Sequence, residues 1–390
     1  MTTATKATGA ATIGGALLSY AVQRIELVAG FRGAQVVRAQ ASGGTLTVSA
    51  SDGLVQAQVS VPLIQEATFD VAIPSDRLVP VVRALAGADE ITLDMDENRL
   101  SAAHVSYRVP TVSIPTDDML QVITGTIDAL GNTSDSADIV RGIQRVSFAV
   151  GSVAMAPEYQ QVLIGDGLVV AYCGEALQTV NIPETEGGTA VTVPAAAMDA
   201  LVRFLRTVRG PINYGLVPDG SAVEFRAPDG SVFAYRPSRA LFPEVGLVLD
   251  EAARLAELSV ELSVKRMQLI DALNAVRVVQ SSARHPLVTF TLPSIIGEDL
   301  VVRSALDDAS EATSSLPVQV GGCSDHGVGT FTVALMDVLN MVTAVPDDEG
   351  DLVLVVSSRR HLVNDRTRPL LQVRTADSLG VLAQAQGVGI

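Results

Sequence analysis

The feature that most constrains this chain is that it repeats itself. Phe69 to Leu85 reads FDVAIPSDRLVPVVRAL, Ala190 to Leu205 reads AVTVPAAAMDALVRFL, and Gly329 to Val342 reads GTFTVALMDVLNMV. Each is a short alternating run that passes into an amphipathic one. Pro74 and Pro194 stand at the first two junctions, where a missing backbone N–H costs nothing because the first helical amides have no intrahelical acceptor. Apolar residues then recur at helical spacing: Leu78, Val81, Val82 and Leu85, then Met198, Leu201, Val202 and Leu205, then Met336, Leu339 and Val342. A second helical pattern precedes each copy: Tyr20 to Ala29 (YAVQRIELVA), Arg141 to Val150 (RGIQRVSFAV) and Asp271 to Gln280 (DALNAVRVVQ). Two helices feeding strands in each third of the chain predict an α+β fold of three domains on one plan. The expected domains cover about residues 16–128, 136–252 and 258–375, with boundaries at the polar run Asp128 to Ala137 and around Glu251 to Glu257. A disordered leader (1–15) and a C-terminal tail (376–390) are expected outside them.

Composition sets what the domains are made of and what they exclude. Apolar residues reach 48%, but aromatics are 4% and Trp is absent, so the cores must be aliphatic. No run of about 18 apolar residues occurs, which argues against a membrane partner, and Met1 to Gly15 lacks the charged start and apolar stretch of a secretory signal. Cys173 and Cys323 are too few for a disulfide framework and suit a reducing, cytoplasmic setting. His104, His285, His326 and His361 are scattered without ligand spacing. Asp94 to Asn98 opens like a calcium loop, but Arg99 and Val105 stand where Gly and Glu are needed. The glycine-rich run Gly321 to Gly327 precedes a strand instead of a helix, and no nucleophile motif occurs. No metal, no cofactor and no catalysis are expected.

The repeats carry a resemblance. In IPSDRLVPVVRAL with ITLDMDENRLSAAHVSYRVPTVSIP, in VLIGDGLVVAYCGEAL, in YRPSRALFPEV and in FTVALMDVLNMV, the chain resembles the β subunit of bacterial DNA polymerase III, the sliding-clamp family. The resemblance runs from about Leu17 to Arg374 and rests on order and spacing. It implies a head-to-tail homodimer whose six similar folds ring duplex DNA, with helices lining the hole and sheets outside. It also implies an ATP-dependent clamp loader and a hydrophobic pocket that receives DNA polymerase and repair proteins. Carried over by position, that pocket comprises Tyr159, Tyr172, Gly174, Leu177, Pro243, Val248, Leu370 and Gln372. On the residues alone, Leu177, Val248 and Leu370 read equally well as core. The chain departs from the family pattern at Tyr172 to Leu177, where a small polar-acidic-Gly-x-Arg-Leu run is usual. It departs again at Leu370 to Arg374, where a Met-Pro-Val-Arg-like ending is usual, and it continues sixteen residues past Arg374.

Charge supports a hole that takes DNA. In helix windows 17–29, 75–86, 137–149, 195–207, 263–279 and 333–343 there are ten basic and six acidic residues. Ten minus six leaves +4 there, and −20 for the rest of a chain whose formal charge is −16. Phosphate contacts of this kind carry no sequence information, which suits sliding. The candidate DNA-binding residues are Arg24, Arg32, Arg77, Arg83, Arg141, Arg145, Arg203, Arg206, Arg266 and Arg277. Arg141/Arg145 and Arg203/Arg206 lie four and three apart and are expected to share solvated helix faces. Two functions follow. One is a processivity factor that encircles duplex DNA and tethers polymerase. The other is a clamp-fold accessory or decoy module with an altered pocket and no main replication role, favoured by the basic-free stretch Val333 to Thr343.

Overall fold

The computed structural model describes residues 10–32, 36–113, 131–183, 189–256, 260–293, 297–307, 310–321, 330–345, 350–356 and 370–383. The chain opens with β1 (Ala10–Gly14), α1 (Gly15–Arg32), β2 (Val36–Ser42), β3 (Thr45–Ser51), β4 (Val55–Pro62), β5 (Phe69–Pro74) and α2 (Ser75–Leu85). It continues with β6 (Glu90–Asp94), β7 (Arg99–Ala102), β8 (Val105–Arg108), β9 (Asn132–Asp135) and α3 (Ser136–Val146). Next come β10 (Gln161–Gly165), β11 (Leu168–Tyr172), β12 (Ala176–Asn181), β13 (Val191–Pro194), α4 (Ala195–Thr207), β14 (Pro211–Leu216), β15 (Val223–Arg226) and β16 (Val232–Tyr235). Then follow α5 (Gly246–Ala256), β17 (Val260–Lys265), α6 (Arg266–Arg277), β18 (Leu287–Thr291), β19 (Leu300–Asp307), β20 (Ser310–Leu316) and β21 (Gln319–Gly321). The last elements are β22 (Thr330–Ala334), α7 (Leu335–Thr343), β23 (Asp351–Val356), β24 (Leu370–Arg374) and β25 (Ser378–Ala383).

The repeat seen in the sequence is structural. Among the described residues a strand hands the chain to a helix with no residue between six times: β1–α1, β5–α2, β9–α3, β13–α4, β17–α6 and β22–α7. Pro74 (φ −55°, ψ 130°) and Pro194 (φ −62°, ψ 143°) hold the last extended position before α2 and α4. At the first junction Gly15 lies against the carbonyl of Ala88 so closely that a Cβ would collide with backbone.

The chain packs as two compact units. The first comprises Met1–Val140 and Pro183–Ser238. It holds a sheet in the order β1-β6-β7-β8 and another in the order β5-β2-β3-β4-β16-β15-β14-β9. The second of these is continuous because Val55–Gln58 of β4 pair with Val232–Tyr235 of β16. Ile13, Val22, Ile25, Leu78 and Val82 are buried in this unit, and an aromatic group stacks Tyr214 on Phe225 at 5.2 Å between centroids. The second unit comprises Arg141–Ile182 and Arg239–Ile390. In it β10, β11, β12, β25, β24, β23, β17 and β21 are neighbours in that order, and β20-β19-β18-β22 form a separate sheet.

Three segments differ from expectation. Residues 10–14, read as part of a disordered leader, form β1, paired with β6 in register Ile13↔Ile91. Alternation decides this: Ala11 and Ile13 are fully buried, and burying an Ile side chain is worth about 1.5–3 kcal/mol. The segment around Glu251, read as a boundary, lies in helix α5. Residues 378–383, read as part of a C-terminal tail outside the domains, are a strand inserted between β12 and β24. Val381 and Leu382 point to opposite faces of that sheet and both are buried. Residues 1–9 and 384–390 lie outside the described ones.

Candidate functional site

The candidate DNA-binding arginines divide into two groups. On α3 the exposed stripe is Ala137, Arg141 and Gln144, and on α4 it is Ala196, Asp199, Arg203 and Arg206. Arg77 and Arg83 are exposed on α2, and Arg277 on α6. Across the described residues of α1–α4, α6 and α7, six exposed arginines face three exposed aspartates, Asp76, Asp199 and Asp271. These surfaces are therefore positive in an acidic chain. Arg83 pairs with Glu26, and Arg77 lies 3.6 Å from Asp76.

The second group is turned inward. Arg24 is 7% exposed; it lies 2.9 Å from Asp229 Oδ2, donates to the Thr207 hydroxyl and sits over the Tyr20 ring at 5.1 Å. Arg145 is 4% exposed, its Nη1 held by both oxygens of Asp377 and its Nη2 by Ser378. Arg141 and Arg145 thus do not share a solvated face. Four residues turn a helix 40° past full circle, enough to carry position 145 off the exposed stripe. Arg266 donates to the carbonyls of Val342 (3.0 Å) and Thr343 (3.1 Å), which satisfies acceptors left open at the end of α7. The side chain of Arg32 lies outside the described residues.

The residues carried over for the pocket converge on one face of the second unit's sheet. Registers place Tyr172 opposite Leu177, Leu177 opposite Val381, and Val381 opposite Gln372, so these four form one row across β11, β12, β25 and β24. Cross-strand neighbours share a face. Leu370 lies two residues along β24 on that face, and the Tyr159 ring meets Tyr172 edge-on at 5.8 Å. Burial raises the Tyr172 phenol above its ordinary pKa, and its hydroxyl donates to the carbonyl of Gly174, a turn residue at φ +87°. Pro243 is half-buried just before the helix that follows.

That helix, α5, covers the row. Val245, Val248, Leu249 and Ala252 pack on Val170, Leu177, Leu370 and Val381 in a single apolar cluster. Gln372 is fully buried and satisfied: Nε2 donates to the carbonyl of Ala252 at 2.6 Å, and Oε1 accepts from Arg374 at 2.6 and 3.0 Å. A cavity of about 240 Å³ adjoins the last turn of α5, lined by Ala253, Arg374, Thr375 and Leu379 among others. Among the described residues no group of three or more His, Cys, Asp or Glu could hold a metal, and no helix is long and apolar enough to cross a membrane.

No family model and no curated relative matches the chain. Solved structures do. DNA polymerase III subunit beta from Pseudomonas aeruginosa is 19% identical over 97% of this chain and 100% of its own, at a TM-score of 0.74. Caulobacter crescentus pol III beta is 16% identical at TM-score 0.75, with 97% and 100% covered. The DNA polymerase III beta subunit of Thermotoga maritima is 14% identical at 0.72, with the same coverage. The fold is that of a DNA polymerase sliding clamp. The clamp fold is therefore reached here with under a fifth of the residues in common with these three.

Proposed function

We propose that the chain is a DNA sliding clamp, a ring that encloses duplex DNA without reading its sequence and tethers a polymerase, with no chemistry of its own. The observation that carries this is the positive sign of the exposed helix surfaces, six arginines to three aspartates, in a clamp-fold chain of net charge −16. Such segregation attracts phosphates to one surface and repels them elsewhere. Three domains per chain, over about residues 16–128, 136–252 and 258–375, would need a second copy to complete six. A head-to-tail contact between copies closes only if its rotation divides the circle. Polymerase and clamp loader would engage the apolar face bearing Tyr172, Leu177 and Leu370, and the setting would be the cytoplasm.

A second reading, an accessory clamp-fold module with few clients, is favoured by α7, which carries no basic residue, and by the covering of that apolar face by α5. Light scattering at micromolar concentration tests the ring. The expected mass is about twice 40.7 kDa, and a monomer at every concentration would remove the ring and leave the accessory reading.

A further inference from the structure

We propose that α5 is a resident, exchangeable occupant of the apolar face on β11, β12, β25 and β24, and that a client segment reaches this face only by displacing it. The inference rests on reading that face as the partner seat.

Helix α5 meets the sheet as a bound guest would. Val248, Leu249 and Ala252 of the helix, with Val245 immediately before its first residue, touch the sheet at intervals of three, one and three, which is one stripe of a helix. Asp250, Ala253 and Arg254 are exposed on the other side, and Leu247 is 73% exposed. Amphipathic segments that lay such a stripe into an apolar seat are a recurring mode of protein–protein recognition. Here the segment belongs to the same chain.

Gln372 shows that the seat is matched to this occupant. Its neighbour across the row is Val381, and Leu371 and Val373 flank it in sequence, so an amide is out of place by composition. Its donor is used by the carbonyl of Ala252, one turn before the end of α5, an oxygen whose second lone pair can take a donor from outside the helix. With α5 gone, that amide would be open to water or to a carbonyl of the incoming segment, so removal leaves no permanently orphaned donor.

Among the described side chains the hold is also light. Helix α4 buries Ala197, Ala200, Leu201, Phe204 and Leu205, whereas in the seat of α5 Val245 and Ala252 are buried and Val248 and Leu249 only partly so. A cavity lies beside Ala253. Elements that bury little apolar surface open first. The occupant that fits is a short segment with aliphatic or aromatic anchors at helical spacing and a free carbonyl for Gln372.

Two variants of the full chain move α5 in opposite directions. Asp250→Pro removes an amide in mid-helix from an exposed position and leaves every seat residue intact. Gly246→Ala adds a Cβ that meets nothing within 4 Å, and it favours the helix by restricting the unfolded segment. The probes are a synthetic peptide of residues 242–256 and a decapeptide with Leu and Phe anchors, titrated calorimetrically while exchange of the α5 amides is followed. Both peptides should bind Asp250→Pro at least about ten-fold tighter than the parent, and Gly246→Ala about two- to five-fold more weakly. Binding to the parent should speed exchange in α5. Equal affinities in all three proteins would overturn the displacement while leaving the partner seat standing. Binding of the 242–256 peptide with none of the anchored decapeptide, even to Asp250→Pro, would remove the partner-seat reading and the claim about clients with it.

Discussion

Arg145 of α3 and Asp377, in the turn between β24 and β25, form a two-oxygen ion pair, with Nη1 at 3.0 and 2.9 Å from the carboxylate oxygens. The pair ties two segments 232 residues apart, and the guanidinium is 4% exposed while Asp377 is 30% exposed. Removing one member of a buried pair leaves the other uncompensated, a cost reduced here because water reaches Asp377. Arg145→Ala should therefore lower unfolding stability by about 2–4 kcal/mol, read from urea midpoints. Arg141→Ala, four residues earlier on the exposed stripe, should stay within about 0.5 kcal/mol of the parent. Equal destabilisation by both would show that the two arginines do the same job.

Arg141, Arg203, Arg206 and Arg277 are the test of the DNA-facing surface. Replacing all four with Ala should leave the melting temperature within a few degrees and weaken DNA binding to a similar extent for any sequence. Every arginine–phosphate pairing removed should flatten the slope of log K against log salt by about 0.9. Fluorescence anisotropy across a salt series on two unrelated duplexes measures both, and an unchanged slope would place these arginines away from DNA.

Two carboxylates should give opposite pH signatures. Burial raises the pKa of Asp229, but hydrogen bonds from Ser231 and Tyr20 and the charge of Arg24 outweigh it and hold the group below its ordinary value. A depressed folded pKa gives stability that is present above the unfolded value and lost as pH falls through the folded one. Asp229→Asn should thus be costly at pH 7 and nearly neutral well below about pH 4. Asp337, in the first turn of α7, is raised by burial and by the nearby Glu175 carboxylate. Its ionisation opposes folding as pH rises past the unfolded value, so Asp337→Asn should stabilise at pH 7 and lose that advantage in acid. Thermal melts at both pH values decide each case.

The three strand–helix junctions in 69–85, 190–205 and 329–342 were legible because their signals are local: apolar residues three and four apart, with Pro at the first two. Strand β1 was not, since its Thr, Ala and Gly composition hid an alternation that only pairing with β6 makes valuable. Helix α5 runs through the stretch where the sequence suggests a boundary, and Val245, Val248, Leu249 and Ala252 carry its helical period. The structure brings Tyr172, Leu177 and Gln372 onto one face, and no local signal in the sequence announces that α5 covers it. Nothing near Arg145 or Gln372 in sequence announces Asp377 or the carbonyl of Ala252. Burial of a charge or an amide by a distant partner is set by tertiary structure, and a helix-face argument built on i,i+4 spacing cannot see it.

The central claim is topological, and retention on circular DNA tests it most directly. The protein is assembled on a nicked circular plasmid, washed at high salt to strip it from phosphates it merely touches, and half the sample is then cut once with a restriction enzyme. A closed ring should remain on the intact circle and run off the linear ends, so that cutting releases it. Equal retention before and after the cut, or none on the circle, would contradict the sliding-clamp account.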